Sequence, residues 1–169
     1  SPELVQAKKL KLPIYTRGEM LGHIVSLMKN IVVTGSHGKT TTTSLLSSIF
    51  GSAKLDPTII NGGVLNSFGN SAKLGKSNWC LIESDESDGS FLKIPFTYSI
   101  ITNIDQDHIE YHKSLKNYIN SKLKILNQSR KSIINYDSKN LKNIDHLKYG
   151  CKKIFYISQK KIKNKKFIN

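Results

Sequence analysis

The stretch Asn30 to Phe50, NIVVTGSHGKTTTTSLLSSIF, decides the fold, because it joins an apolar strand to a glycine-bearing turn and then to a helix. Ile31, Val32 and Val33 are consecutive β-branched residues, the composition of a strand buried on both faces of a parallel sheet. From Ser44 to Phe50 the apolar residues Leu45, Leu46, Ile49 and Phe50 recur at helical spacing and predict a helix packed by that stripe. Between the two, Gly35 and Gly38 carry no Cβ to hold the backbone away from a phosphate, and the first helical turn aims N–H groups at it. Lys39 would then supply a point charge for β- and γ-phosphates, and the Thr40 hydroxyl a ligand for Mg²⁺, the plainer alternative being a Gly-rich strand-to-helix turn that binds nothing. The general phosphate-loop pattern G-x-x-x-x-G-K-[ST] is incomplete here: Val33 stands five positions before Gly38, and Gly35 only three.

Working outward, Gly51 to Pro57 punctuates the chain and Thr58-Ile59-Ile60 predicts a short strand. Asn61-Gly62-Gly63 reads as a flexible turn, with a plain connection and a ligand-admitting loop both open. Trp79-Cys80-Leu81-Ile82 predicts a second core strand that delivers Glu83, Asp85, Glu86 and Asp88 at its C-terminal end. Carboxylates so close repel one another, and a solvated loop is one reading of them. Ligands of open α/β sheets bind just beyond the carboxyl ends of the strands, which favours the other reading, a hold on the metal that accompanies ATP. Tyr98 to Thr102 predicts a third core strand, ending in Asn103, Asp105, Asp107 and His108. Three roles stay open for that histidine: metal ligand, general base, or neighbour of a helix cap.

Leu115, Tyr118, Ile119, Leu123 and Leu126 form a helical stripe with Ser114 as N-cap, and Ser132 to Asn135 and Lys153 to Ile157 predict further strands with a short helix between them. Upstream, Glu3 to Leu10 predicts a short helix and Pro13-Ile14-Tyr15 a strand or extended link. Arg17 to Met28 predicts a helix with Met20, Leu21, Ile24, Leu27 and Met28 on one side. Strand and helix alternate, so the expected fold is α/β, with a mostly parallel, doubly wound sheet.

The 169 residues suffice for one ordinary core, and the opening Ser1-Pro2 in place of Met predicts a piece of a longer protein. No apolar run approaches the roughly 20 residues that span a bilayer, and no charged-then-apolar leader is visible. A soluble, cytoplasmic protein with no membrane partner is therefore expected. Cys80 and Cys151 lack C-x-x-C spacing and a histidine cluster, which argues against a zinc site and a disulfide framework. The formal charge of +14 raises nucleic acid as a partner. The lysines, however, are scattered among asparagines and isoleucines from Lys113 to Lys166 with no regular aromatic platform. That pattern predicts a solvated surface and no nucleic-acid partner.

Three strand ends thus carry polar clusters in order: GSHGKTTTT, then LDPTIINGG with IESDESDGSFL, then ITNIDQDHIEY. This combination resembles the Mur ligase and folylpolyglutamate synthetase superfamily, and within it the branch that adds L-alanine to UDP-N-acetylmuramate. The resemblance runs from Ser1 to Ile157. It implies that residues 1–29 are the tail of an N-terminal UDP-binding domain and its linker, that 30–169 are a central ATPase domain, and that the family's C-terminal domain is absent. It also implies that Gly35, Ser36, His37, Gly38, Lys39, Thr40 and Thr41 form the ATP phosphate loop. Lys39, Glu83 and His108 become the catalytic set, with Thr40, Glu83 and His108 on magnesium and Asn61 facing the substrate. The implied reaction is ATP-dependent ligation through an acyl phosphate, in peptidoglycan synthesis. Ile109-Glu110-Tyr111-His112 follows the family's acid-then-tyrosine ending only loosely, so no role carries over there. Two alternatives accompany this expectation. One is the branch that reattaches recovered murein peptide, which typically has an aromatic where this chain has Ser87; the other is a fragment that holds nucleotide without ligating.

Overall fold

The computed structural model of the chain describes residues 1–65, 70–84, 96–105, 115–142 and 148–159. Its strands are β1 (Lys29–Thr34), β2 (Thr58–Leu65), β3 (Asn70–Lys73), β4 (Trp79–Glu83), β5 (Phe96–Ile101), β6 (Ser129–Asn135) and β7 (Lys153–Ile157). The helices are α1 (Pro2–Lys9), α2 (Arg17–Ser26), α3 (Lys39–Ser52) and α4 (Leu115–Leu123), the last running into a 3₁₀ turn over Lys124–Gln128. All seven strands join one sheet in the order β3-β2-β4-β1-β5-β6-β7. Every pairing is parallel except that of β2 with β3.

The apolar run Ile31 to Val33 puts β1 in the middle, where Val32 and Val33 are fully buried. On one face, Tyr118, Leu123 and Leu126 pack with Val32, Ile82 and Ile134. On the other, Leu46 and Phe50 of α3 lie against Ile31, Ile59 and Leu81. Register decides where the site forms. Val33 stands opposite Glu83 and Thr34 opposite Ile101, so β1, β4 and β5 end at one level. The Ser84 N–H continues the ladder to Val33 O at 2.9 Å, and the Thr102 N–H to Thr34 O at 3.0 Å.

Several expectations need correction. Asn61-Gly62-Gly63 is no turn: it lies inside β2, which runs on past Ile60 to pair with β3 through a register shift between Ile60 and Leu65. Glycine within a strand marks such an irregularity as readily as it marks a loop. β3, sequence NSAK, has no β-branched residue and is strand only because β2 pairs with it. α3 faces the sheet by Thr43, Leu46 and Phe50, whereas Leu45 and Ile49 are 60% and 62% exposed. α2 stops at Ser26 and buries Val25, leaving Leu27 82% exposed and Met20 and Ile24 exposed as well. Its start is set by a capping box, with Glu19 N–H on Thr16 Oγ1 at 3.2 Å and Thr16 N–H on Glu19 Oε2 at 2.9 Å. Of the two readings of Pro13 to Tyr15 it is the link that forms, without regular structure. Residues 136–142 form turns, and part of the range of the short helix expected before β7, residues 143–147, lies outside the described residues. Ser114 lies outside the described residues.

Candidate active site

The chain leaves β1 at Thr34 and turns at Gly35, whose φ of +145° suits glycine. A Cβ on Gly35 would overlap Thr102 Oγ1 and come within 2.9 Å of Asn103 O. This glycine therefore lets the loop lie flat on the end of β5, which is a different purpose from the phosphate approach read into it above. Asn103 then holds the loop like a template. Its carbonyl accepts the Ser36 N–H at 3.1 Å, its Oδ1 accepts the His37 N–H at 2.9 Å, and its Nδ2 donates to His37 O at 3.1 Å. The Thr102 hydroxyl donates to the same His37 carbonyl at 2.7 Å. Ser36 Oγ accepts the Asp105 N–H at 2.8 Å and lies 3.0 Å from the Tyr118 hydroxyl. Thr102, Asn103 and Tyr118 are thus supports of the loop that sequence reasoning missed. The signal was present, since T-N sits at the start of the quoted ITNIDQDHIEY stretch.

Gly38 is the N-cap of α3 in a left-handed conformation, φ +77°, and a Cβ there meets nothing within 4 Å. It is the open position of the loop. Beyond it the Thr42 N–H bonds back to Gly38 O at 2.9 Å, so the N–H groups of Lys39, Thr40 and Thr41 precede the intrahelical ladder and point out of the helix start. With the helix dipole they make a place for an anion. Lys39 arches back over the loop and donates from Nζ to Gly35 O at 2.7 Å and to Ser36 O at 3.3 Å. The ammonium therefore sits above the same opening. The Thr43 hydroxyl braces this turn on Lys39 O at 3.0 Å.

Glu83, at the end of β4, closes the other side. Its carboxylate accepts the Thr40 hydroxyl at 3.0 and 3.2 Å and the Gly62 N–H at 3.2 Å. Two hard oxygens from different elements are thereby brought together. Adjacent oxygens of a magnesium octahedron with bonds of about 2.0–2.1 Å lie about 3.0 Å apart, so the Thr40–Glu83 pair fits a Mg²⁺ ion without rearrangement of the backbone. Asn61, one residue before Gly62, is 7% exposed and buried within β2. His37 and Thr41 are exposed, and the former is held by its backbone. His108, Asp85, Glu86, Asp88 and Asp107 lie outside the described residues, and among the described residues no group of three His, Cys, Asp or Glu side chains is placed to hold a metal.

Comparison with known proteins places the chain in a family. Residues 33–168 match the Mur ligase middle domain. The UDP-N-acetylmuramate--L-alanine ligase of Pelagibacter ubique is 57% identical over 98% of this chain and 38% of its own length. That of Parvibaculum lavamentivorans is 48% identical over 68% of this chain and 23% of its own. The chain thus spans well under half the length of these relatives. Among solved structures, the UDP-N-acetylmuramate-alanine ligase of Thermotoga maritima superposes with a TM-score of 0.72 at 28% identity, covering 92% of this chain and 36% of that one. UDP-N-acetylmuramate:L-alanyl-gamma-D-glutamyl-meso-diaminopimelate ligase from Neisseria meningitides shares the fold, with a TM-score of 0.77 at 24% identity over 92% of this chain and 53% of that one. A family match of this extent, over a sheet of the same architecture, makes the chain a member of the Mur ligase family, with residues 33–168 in its middle domain.

Proposed function

We propose that this chain carries the ATP-binding centre of a ligase that joins L-alanine to the lactyl carboxylate of UDP-N-acetylmuramate in peptidoglycan synthesis. The observation that carries the reading is the meeting of Thr40 and Glu83 beside a helix start that Lys39 overarches. Relatives 57% and 48% identical bear the alanine ligase name, which supports L-alanine over a recovered peptide as acceptor. In this reading residues 1–29 are the tail of the UDP-binding domain, 30–169 belong to the central ATPase domain, and the complete enzyme is cytoplasmic. Among the described residues no helix is long and apolar enough to cross a membrane.

The N–H groups at the start of α3 bind the ATP phosphates, and Lys39 exchanges its loop carbonyls for phosphate oxygens as the nucleotide enters. Thr40 and Glu83 would hold Mg²⁺, with His108 at a second metal position, and the ion supplies neutralisation of charge on the phosphates. A carboxylate oxygen of the muramate attacks the γ-phosphorus and ADP leaves, giving the acyl phosphate. The amine of L-alanine then attacks the acyl carbon, phosphate departs, and the nitrogen loses a proton. Lys39 stabilises the charge that spreads over the transferred group, and positioning supplies most of the rest.

The test follows an oxygen atom. With ¹⁸O in the muramate carboxylate, the complete enzyme is expected to release phosphate carrying one ¹⁸O per alanine joined. Phosphate without label contradicts the acyl phosphate, and faster turnover with a murein tripeptide than with L-alanine contradicts the acceptor.

A further inference from the structure

Gly62 is the least obvious neighbour of Glu83. Its main-chain N–H donates to Glu83 Oε2 at 3.2 Å, on the side of the carboxylate that belongs to β2. The Thr40 hydroxyl can turn about its own bond, but a strand N–H cannot. Ile60 pairs with Ile82 as the last rung of the β2–β4 ladder, which brings Gly62, two residues on, alongside Glu83, one residue on. A Cβ at Gly62 would lie 3.3 Å from Glu83 Oε1, 3.4 Å from Cδ and 3.6 Å from Oε2. The first of these is tighter than ordinary van der Waals contact. Positive φ among the described glycines is confined to Gly35 and Gly38, so at Gly62 the backbone does not demand glycine. A β-branched residue would suit a strand better. Such a side chain would press on the carboxylate and shift it by a few tenths of an ångström or more.

We propose that Gly62 is a positioning residue: its N–H aims the Glu83 carboxylate, and its bare Cα leaves that carboxylate room to share a divalent cation with Thr40. The inference rests on the metal reading given above. Groups that orient a metal ligand from behind typically govern affinity by about 10–100-fold. Of the segment N-G-G, it is then the middle residue that reaches the nucleotide side of the site.

Mn²⁺ serves as the probe. The complete enzyme saturated with ADP is titrated with Mn²⁺, and the signal of the free ion is followed by electron paramagnetic resonance; ADP affinity without metal is measured in parallel. Gly62→Ala is expected to weaken Mn²⁺ about tenfold, and Gly62→Val more, while ADP affinity without metal stays within about twofold of wild type and the melting temperature holds. Glu83→Gln serves as the control for the underlying reading and is expected to lose the tight Mn²⁺ site. Loss in Glu83→Gln with wild-type Mn²⁺ binding in both Gly62 variants overturns this inference alone. Wild-type Mn²⁺ binding in Glu83→Gln overturns the metal reading and this inference with it. An equal loss of metal-free ADP affinity in Gly62→Ala shows damage to the loop and overturns the positioning role.

Discussion

Gly35 and Gly38 sit in one loop and are glycine for different reasons. Gly35 presses against Thr102 and Asn103, where a side chain has no room, whereas Gly38 faces open space with φ +77°. Gly35→Ala is therefore expected to be a folding defect of about 3 kcal/mol, on the order of 10 °C in Tm. Gly38→Ala should cost about 1–2 kcal/mol of stability and weaken nucleotide binding about tenfold, because its methyl group enters the volume the phosphates need. Thermal melts beside ADP titrations check both; a Gly35→Ala protein that melts like wild type contradicts the packing account. Cys80 offers a second test. Burial in β4 pushes its thiol from 9.0 up to about 12. The folded thiol thus stays neutral where the unfolded one ionises, so its contribution to stability is full below about pH 9 and is lost as pH rises toward 12. A disulfide reagent at pH 8 is expected to label Cys151 readily and Cys80 only after denaturant is added; rapid labelling of both in the native protein contradicts the burial.

At the scale of elements, Asn30 joins the opening segment to the sheet. Its buried amide donates to Val25 O at 3.2 Å and Met28 O at 3.3 Å and accepts the Thr97 N–H at 2.9 Å, tying the end of α2 to β1 and β5. Asn30→Ala strands those groups and is expected to cost about 2–3 kcal/mol. Limited proteolysis should then cut within residues 17–28 before the core; unchanged protease resistance contradicts the tie. The sequence made the strands β1 and β4 legible through unbroken apolar runs, and β5 through its β-branched and aromatic composition. Helix faces were legible only in part. Periodicity shows that α3 has a stripe, but the sheet chooses which rows it accepts, and it accepts Thr43 with Leu46 and Phe50 over Leu45 and Ile49. Lys122 makes the same point: it is 1% exposed, with its ammonium 4.6 Å from the Tyr118 ring centroid, in a position that charge alone assigns to solvent. Of the candidate site, Lys39 and Thr40 could be named from the phosphate-loop pattern, whereas the strand end offered four carboxylates and the family resemblance singled out Glu83. Asn103 stood in the same kind of strand-end cluster, but nothing in its type says that its amide would hold the neighbouring loop and not a ligand. Gly62 could not be named at all, because its part is played by a backbone N–H.

Across the whole molecule, the parallel register brings the ends of β1, β4 and β5 to one edge, and α3 points its start at the same edge. The charge of +14 is compatible with this plan. Some lysines lie over aromatic rings, Lys29 at 5.8 Å from the Trp79 centroid and Lys131 at 5.7 Å from that of Tyr98, where their stems cover apolar surface. Topology therefore supplies the convergence, and in the proposed function local chemistry would supply the phosphate and metal contacts. The most direct measurement of that convergence is a crystal structure of the complete enzyme with a non-hydrolysable ATP analogue and Mn²⁺, with the ion located by its anomalous signal. The account predicts an ion peak about 2.0–2.3 Å from both Thr40 Oγ1 and a Glu83 carboxylate oxygen, with Lys39 Nζ on the phosphates. An ion bound away from both residues, or phosphates seated elsewhere than at the start of α3, contradicts it.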